Sequence, residues 1–228
     1  MQETRKRFHD ELADLQERLA DLGELAVRAV ERSVQTLVHK DAALADQVIA
    51  EDDPIDELYL DIERRIMQIL ATQAPVASDL RLISVILHTN LHLERVGDQA
   101  VNIAKIAKAT MDLPASSVVV SQLEEMGDVV ASMLRTAMRS LALRDLSLAE
   151  SLPMLDDPVD RLNRNMYREV AALAADPQQL EWGIRMNIVS RQLERVGDNA
   201  VDIGEQVAFL LTGEFREFTD ASHPIESS

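Results

Sequence analysis

The sequence predicts an all-α protein made of two tandem three-helix bundles related by internal duplication. Three observations carry that expectation. Apolar residues make up 46% of the 228 residues, while aromatics are only 3% and Gly and Pro number seven each. Such a composition favours long helices packed through small and medium side chains and disfavours turn-rich β architectures. The first segment carries a long apolar stripe at helical spacing, and the chain then repeats itself.

Helix one shows Phe8, Leu12, Leu15, Leu19, Leu22, Ala26, Ala29, Ser33 and Leu37 at alternating three- and four-residue steps. These residues fall on one face, and a stripe of that length belongs in a bundle. Lys40-Asp41 reads as a corner, with Asp41 the N-cap of the next helix. A second helical stretch spans about Ala42 to Thr72, with a kink or a fresh start at Pro54, where a ring replaces the backbone donor. Gln73 to Ser78, containing Pro75, reads as a turn, and helix three runs from about Asp79 to Thr110.

A shift of 104 places Asp52-Asp53-Pro54-Ile55-Asp56 on Asp156-Asp157-Pro158-Val159-Asp160. After the Pro75 turn the shift becomes 100, and residues 93–104 then match 193–204 at nine of twelve places. One deletion inside an expected loop thus restores the register of a whole helix. The repeats are expected at 5–112 and 122–213, with a linker at 113–121 and a mobile, polar tail at 214–228.

Charge narrows the function. A net charge of −17 offers no basic footprint for nucleic acid and disfavours direct adsorption to anionic lipid. It suits a partner that is a cation or a basic segment. With no cysteine, disulfides and thiolate metal sites are excluded. The charged start and the lack of a long apolar run point to a cytoplasmic protein that meets membranes only through its partners.

Paired acids recur four residues apart: Asp52 and Asp56, Glu94 and Asp98, Asp156 and Asp160, Glu194 and Asp198. Such residues share a helix face, where like charges repel by about 0.2–0.5 kcal/mol per pair. Asn102 extends one row and Asp202 the other. If helices two and three fold back about the Pro75 turn, Asp52 and Asp56 lie level with Glu94 and Asp98, and unit two repeats the arrangement. Four carboxylates at one level call for a cation. Oxygen ligands suit Mg, Mn, Ca or Fe ions better than a thiophilic metal, with Zn kept among the candidates. A solvated face is the commoner reading of one acidic pair. Here, however, Ile83, Leu87 and Val101 lie within about 20° of the Glu94 meridian at 100° per residue.

Other residues carry less. Gly97 and Gly197 suggest either close approach of a ligand or neighbouring helix, or ordinary small-residue packing. Arg95 and Arg195 read as surface partners of nearby acids, and His88 and His92 as surface histidines. Glu24 and Asp128 read as solvated acids that could otherwise be auxiliary ligands. No nucleophile–base pair or phosphate loop is found, so a metal-dependent phosphoester hydrolase and a purely structural, cation-binding repeat stand only as alternatives.

With these residues in hand, the chain resembles the PhoU family of phosphate-uptake regulators over almost its whole length. The phrase Glu-Arg-Val-Gly-Asp-x-Ala-Val-x-Ile, present at 94–103 and 194–203, carries the resemblance most specifically. The resemblance implies a non-enzymatic negative regulator, an accessory of the high-affinity phosphate ABC transporter. It also implies partners in that transporter's ATPase and a membrane sensor histidine kinase, repression of phosphate-starvation signalling, homodimer formation and metal clusters on these acids.

Overall fold

A computed structural model describes residues 2–73 and 75–218, with side chains from residue 6 onward. Among the described residues there is no strand. Eight helices succeed one another among those residues: α1 (Gln2–His39), α2 (Ala42–Ala50), α3 (Asp52–Gln73), α4 (Ala77–Ala109), α5 (Ser117–Leu143), α6 (Leu146–Glu150), α7 (Leu152–Ala172) and α8 (Pro177–Thr212).

The stripe on α1 forms as expected, all nine of its residues being buried. At the corner, Lys40 takes a positive φ of 51° and Asp41 caps α2, its carboxylate accepting the Leu44 N–H at 2.9 Å. The matching corner repeats both features, with Arg144 at φ 52° and Asp145 capping α6. Each cap satisfies an otherwise unpaired amide at a helix start.

The expected long second helix is two helices. In unit one the break falls at Glu51, and Pro54 sits in the first turn of α3, where a missing N–H costs nothing. In unit two α7 starts four residues earlier relative to the repeat. Pro153 takes its first turn, leaving Pro158 inside the helix. The inter-unit connection is also shorter than the expected linker, because α5 begins at Ser117.

The long helices α1, α4, α5 and α8 pack together, with α3 against unit one's pair and α7 against unit two's. Their buried residues form one continuous core through both units. Helices α4 and α8 meet along a central seam. His92 contacts Asn199 and Arg81 donates to the Leu210 carbonyl, so numbering rises on one helix as it falls on the other. The two helices are therefore antiparallel, and the duplicated motifs lie at the same height.

The chain after α8 turns at Gly213, whose φ is +80°. Phe215 stacks on Phe209 with ring centroids 3.7 Å apart, and the Phe218 N–H donates to Glu205 Oε1 at 2.7 Å. Residues 214–218 thus lie back over α8. The rest of the expected tail, 219–228, falls outside the described residues.

Candidate metal centre

In each unit the acids on the second and third helices face one another as the fold-back arithmetic requires. Asp52 opens α3 and lies beside Asp98 of α4, while Asp56 lies beside Glu94. Partial burial, then the neighbouring carboxylates, raise Asp52 and Glu94 above the ordinary carboxylate range. Lys105 tempers the first and Arg95 the second. Asp56, Asp98 and Asn102 stand exposed at the rim.

Unit two carries the same arrangement under greater strain. Burial first, then Asp198, Asp160, Glu194 and Asp157, push Asp156 up to about 7. Asp198 stands exposed at the rim like Asp98, yet partial desolvation, and after it Glu194, Asp202 and Asp160, pushes it up to about 6. Arg164 holds Asp160 at 3.0 Å and Arg191 holds Glu194 at 2.7 Å, both from exposed positions. Asp202 continues the row and meets His92 across the seam, Nδ1 to Oδ2 being 3.5 Å.

The two glycines show why the units differ. A Cβ at Gly197 would lie 2.4 Å from Asp156 Oδ1, so α8 is left bare there to accommodate that carboxylate. At Gly97 the nearest neighbour is Ile55 at 3.1 Å, and Asp52 Oδ1 stands back at 3.7 Å. Close approach by the neighbouring helix therefore explains both glycines, through an acid in one unit and an aliphatic side chain in the other. Asp156 Oδ1 is buried against this surface and accepts no hydrogen bond. A carboxylate oxygen in that position favours a proton or a cation.

The acids gather along the helix faces, but among the described residues no three His, Asp or Glu side chains close around one point. Glu24 and Asp128 are exposed. The expectation of two surface histidines is half corrected. His88 is exposed, whereas the His92 side chain is only 12% exposed at the α4–α8 seam. Helix α4 has two buried faces, one toward the core and one toward its repeat partner, and wheel arguments detect only the aliphatic one. Sequence reasoning also passed over Lys105 and Glu205, which occupy matched places with opposite charge. Comparison of the repeats alone would have exposed that reversal.

A PhoU domain is matched over residues 19–107 and again over 123–207. The chain belongs to the PhoU family. It is 33% identical to the phosphate-specific transport system accessory protein PhoU homolog of Pseudomonas putida, over 96% of this chain and 84% of that one. With the Caulobacter vibrioides homolog of the same name it shares 32% identity over 92% of each chain. Its fold matches the crystal structure of PhoU from Pseudomonas aeruginosa with a TM-score of 0.86 and 33% identity, covering 91% of this chain and 100% of that one. The phosphate transport system regulatory protein PhoU from Streptococcus pneumoniae superposes with a TM-score of 0.83 at 28% identity, over 92% and 99%. PhoU proteins are regulatory accessories and not enzymes, which removes the hydrolase reading of the acidic rows.

Proposed function

We propose that this protein is a cytoplasmic negative regulator of phosphate uptake. It couples the state of the high-affinity phosphate ABC transporter, through that transporter's ATPase, to a sensor histidine kinase, and it holds phosphate-starvation signalling down when phosphate is plentiful. The observation that carries this reading is the double PhoU match on a fold with the duplicated acidic motif in both halves. Relatives of nearly equal length are named as accessories of phosphate-specific transport. Among the described residues no helix is long and apolar enough to cross a membrane, so contact with a membrane would run through those partners. Deleting the gene should derepress phosphate-starvation genes at high phosphate. Unchanged expression sinks the proposal.

The acidic rows serve as cation sites in this reading. Asp52, Asp56, Glu94, Asp98 and Asn102 would hold an ion in unit one, and Asp156, Asp160, Glu194, Asp198 and Asp202 in unit two. The buried, unpartnered Asp156 Oδ1 and the cradle at Gly197 support this, as does the all-oxygen donor set. A bound Mg, Mn, Fe or Ca ion would supply the positive charge that lets neighbouring carboxylates ionise together. Chelator-stripped protein is expected to take up Mn²⁺, and the variant with alanine at 94, 98, 194 and 198 to lose that uptake; equal uptake by both counts against the sites. A homodimer, as in the resemblance, is part of the proposal and is read by sedimentation.

A further inference from the structure

We propose that residues 214–218 are a displaceable strap seated in a docking slot on the second unit, and that the slot accepts in its place a partner's extended segment bearing an aromatic and a basic residue. The strap stands apart from the phosphate and cation readings.

The two units close the same hollow in different ways. In unit one Ala45 and Val48 of α2 pack on Ala104 of α4, with Met111 against them. Met111 lies in the connector between α4 and α5, and Lys40 Nζ fastens that connector by donating to the Met111 and Leu113 carbonyls at 3.1 and 3.0 Å. The shifts that relate the repeats put Ala149, Leu152 and Gly204 at the matching places in unit two. A Cβ on Gly204 would lie 2.5 Å from Leu152 Cδ1 and 3.4 Å from Phe218 Cε2. With glycine where unit one has alanine, this hollow admits the larger Leu152 and leaves an aromatic ring room beside it.

The strap is held lightly there. Its ties to α8 are the stack of Phe215 on Phe209, the Phe218 ring and the one hydrogen bond from the Phe218 N–H to Glu205. Phe215 stays 73% exposed. Between strap and helix lies a cavity of about 430 Å³, lined by Glu205, Gln206, Phe215, Arg216 and Glu217. Gln206 Oε1 is buried and accepts no hydrogen bond. Burial pushes the Glu205 carboxyl up, only the Phe218 N–H opposes it, and Asp202 and Glu217 add to the rise. An unmet acceptor and a crowded carboxylate thus border space that the strap leaves unfilled, and a cationic side chain would answer both. Those features set the chemistry of a competitor: a ring for the Gly204 hollow, a backbone N–H for Glu205 and a Lys or Arg for the cavity. The strap's own Phe215-Arg216-Glu217-Phe218 has this character, but Arg216 pairs with Glu214 at 2.8 Å and makes no bond to Glu205 or Gln206. A short tether supplies a millimolar effective concentration, so these few contacts suffice in cis and still yield to a better-matched segment.

The chain has no cysteine, so a nitroxide on E217C reports the strap alone. In the full-length protein its electron paramagnetic resonance spectrum should be restrained, and F218A should make it mobile while helical circular dichroism is unchanged. A fluorescein-labelled peptide of residues 213–218 should bind the F215A/F218A chain saturably. It should bind the unaltered chain about tenfold more weakly, because a docked strap leaves the slot open only about a tenth of the time. E205A in the F215A/F218A chain should abolish peptide binding without loss of helicity. The same peptide carrying E214A, which frees its arginine for the cavity, should bind more tightly. A mobile label on the unaltered strap, equal peptide affinity for the two chains, or indifference to E205A overturns the inference. So does an E214A peptide that binds no better, or a restrained fraction that rises with protein concentration and so places the strap on a second copy.

Discussion

Replacing Asp156 with asparagine keeps the side-chain shape and removes the charge that unit two tolerates least. In the folded chain Asp156 is pushed from 3.8 to about 7 by burial first and then by Asp198, Asp160 and Glu194. An acid whose folded value is raised binds its proton more tightly when folded, so stability falls as pH rises between the unfolded and folded values. The window is therefore about pH 4 to 7, with the full loss present above it. A displacement of roughly three units corresponds to about 4 kcal/mol. Asp156 is only partly buried, and solvent screening brings the expected effect to about 2 kcal/mol. In urea titrations of chelator-treated protein, D156N should be more stable than the unaltered chain by about 2 kcal/mol at pH 8, a difference worked from these shifts. The gap should close as pH falls through 6 to 4. Added Mn²⁺ should reverse the order, because only the carboxylate gains from the ion. A D156N chain that is less stable at pH 8 without metal, or a pH slope equal to that of the unaltered protein, would refute the reasoning.

Other contacts set further outcomes. G197A places a methyl where Asp156 Oδ1 lies, 2.4 Å away, and should expel that short side chain toward solvent. The expected result is a lower Asp156 pKa and weaker Mn²⁺ uptake at unit two, read by titration, with up to about 1 kcal/mol of helix propensity regained. S190A strands the buried Asn163 Oδ1, which accepts the Ser190 hydroxyl at 2.8 Å, and should cost about 1–3 kcal/mol by chemical denaturation. Arg81 lies over Phe209 at 5.7 Å and reaches the Leu210 carbonyl at the end of α8; R81A should cost about 1 kcal/mol in thermal unfolding.

Much of the fold is legible in the sequence because helical periodicity is a local property and the duplication supplies an internal check on it. The α1 stripe, the Asp41 cap and the turn at Pro75 each depend on neighbours along the chain. The break at Glu51 is harder to see, since Pro54 is compatible with a kink, a first turn or, as Pro158 shows in unit two, a helix interior. The acidic rows and their pairing across the fold-back are visible too, because antiparallel hairpins convert sequence distance into height.

The sequence by itself determined the long helices, the repeat and which acids meet within each unit, though not the break at Glu51, since spacing along one hairpin sets the former and not the latter. Only the tertiary structure decided how the units meet. The antiparallel α4–α8 seam buries His92 beside Asn199 and Asp202, residues more than 100 positions away, and no periodicity on one helix encodes a neighbour on another. It also decided that equal-looking motifs are unequal. Asp156 is pressed into the Gly197 hollow while Asp52 stands off behind Ile55, and the two carboxylates differ in charge cost because Asp156 is the more deeply buried of the two.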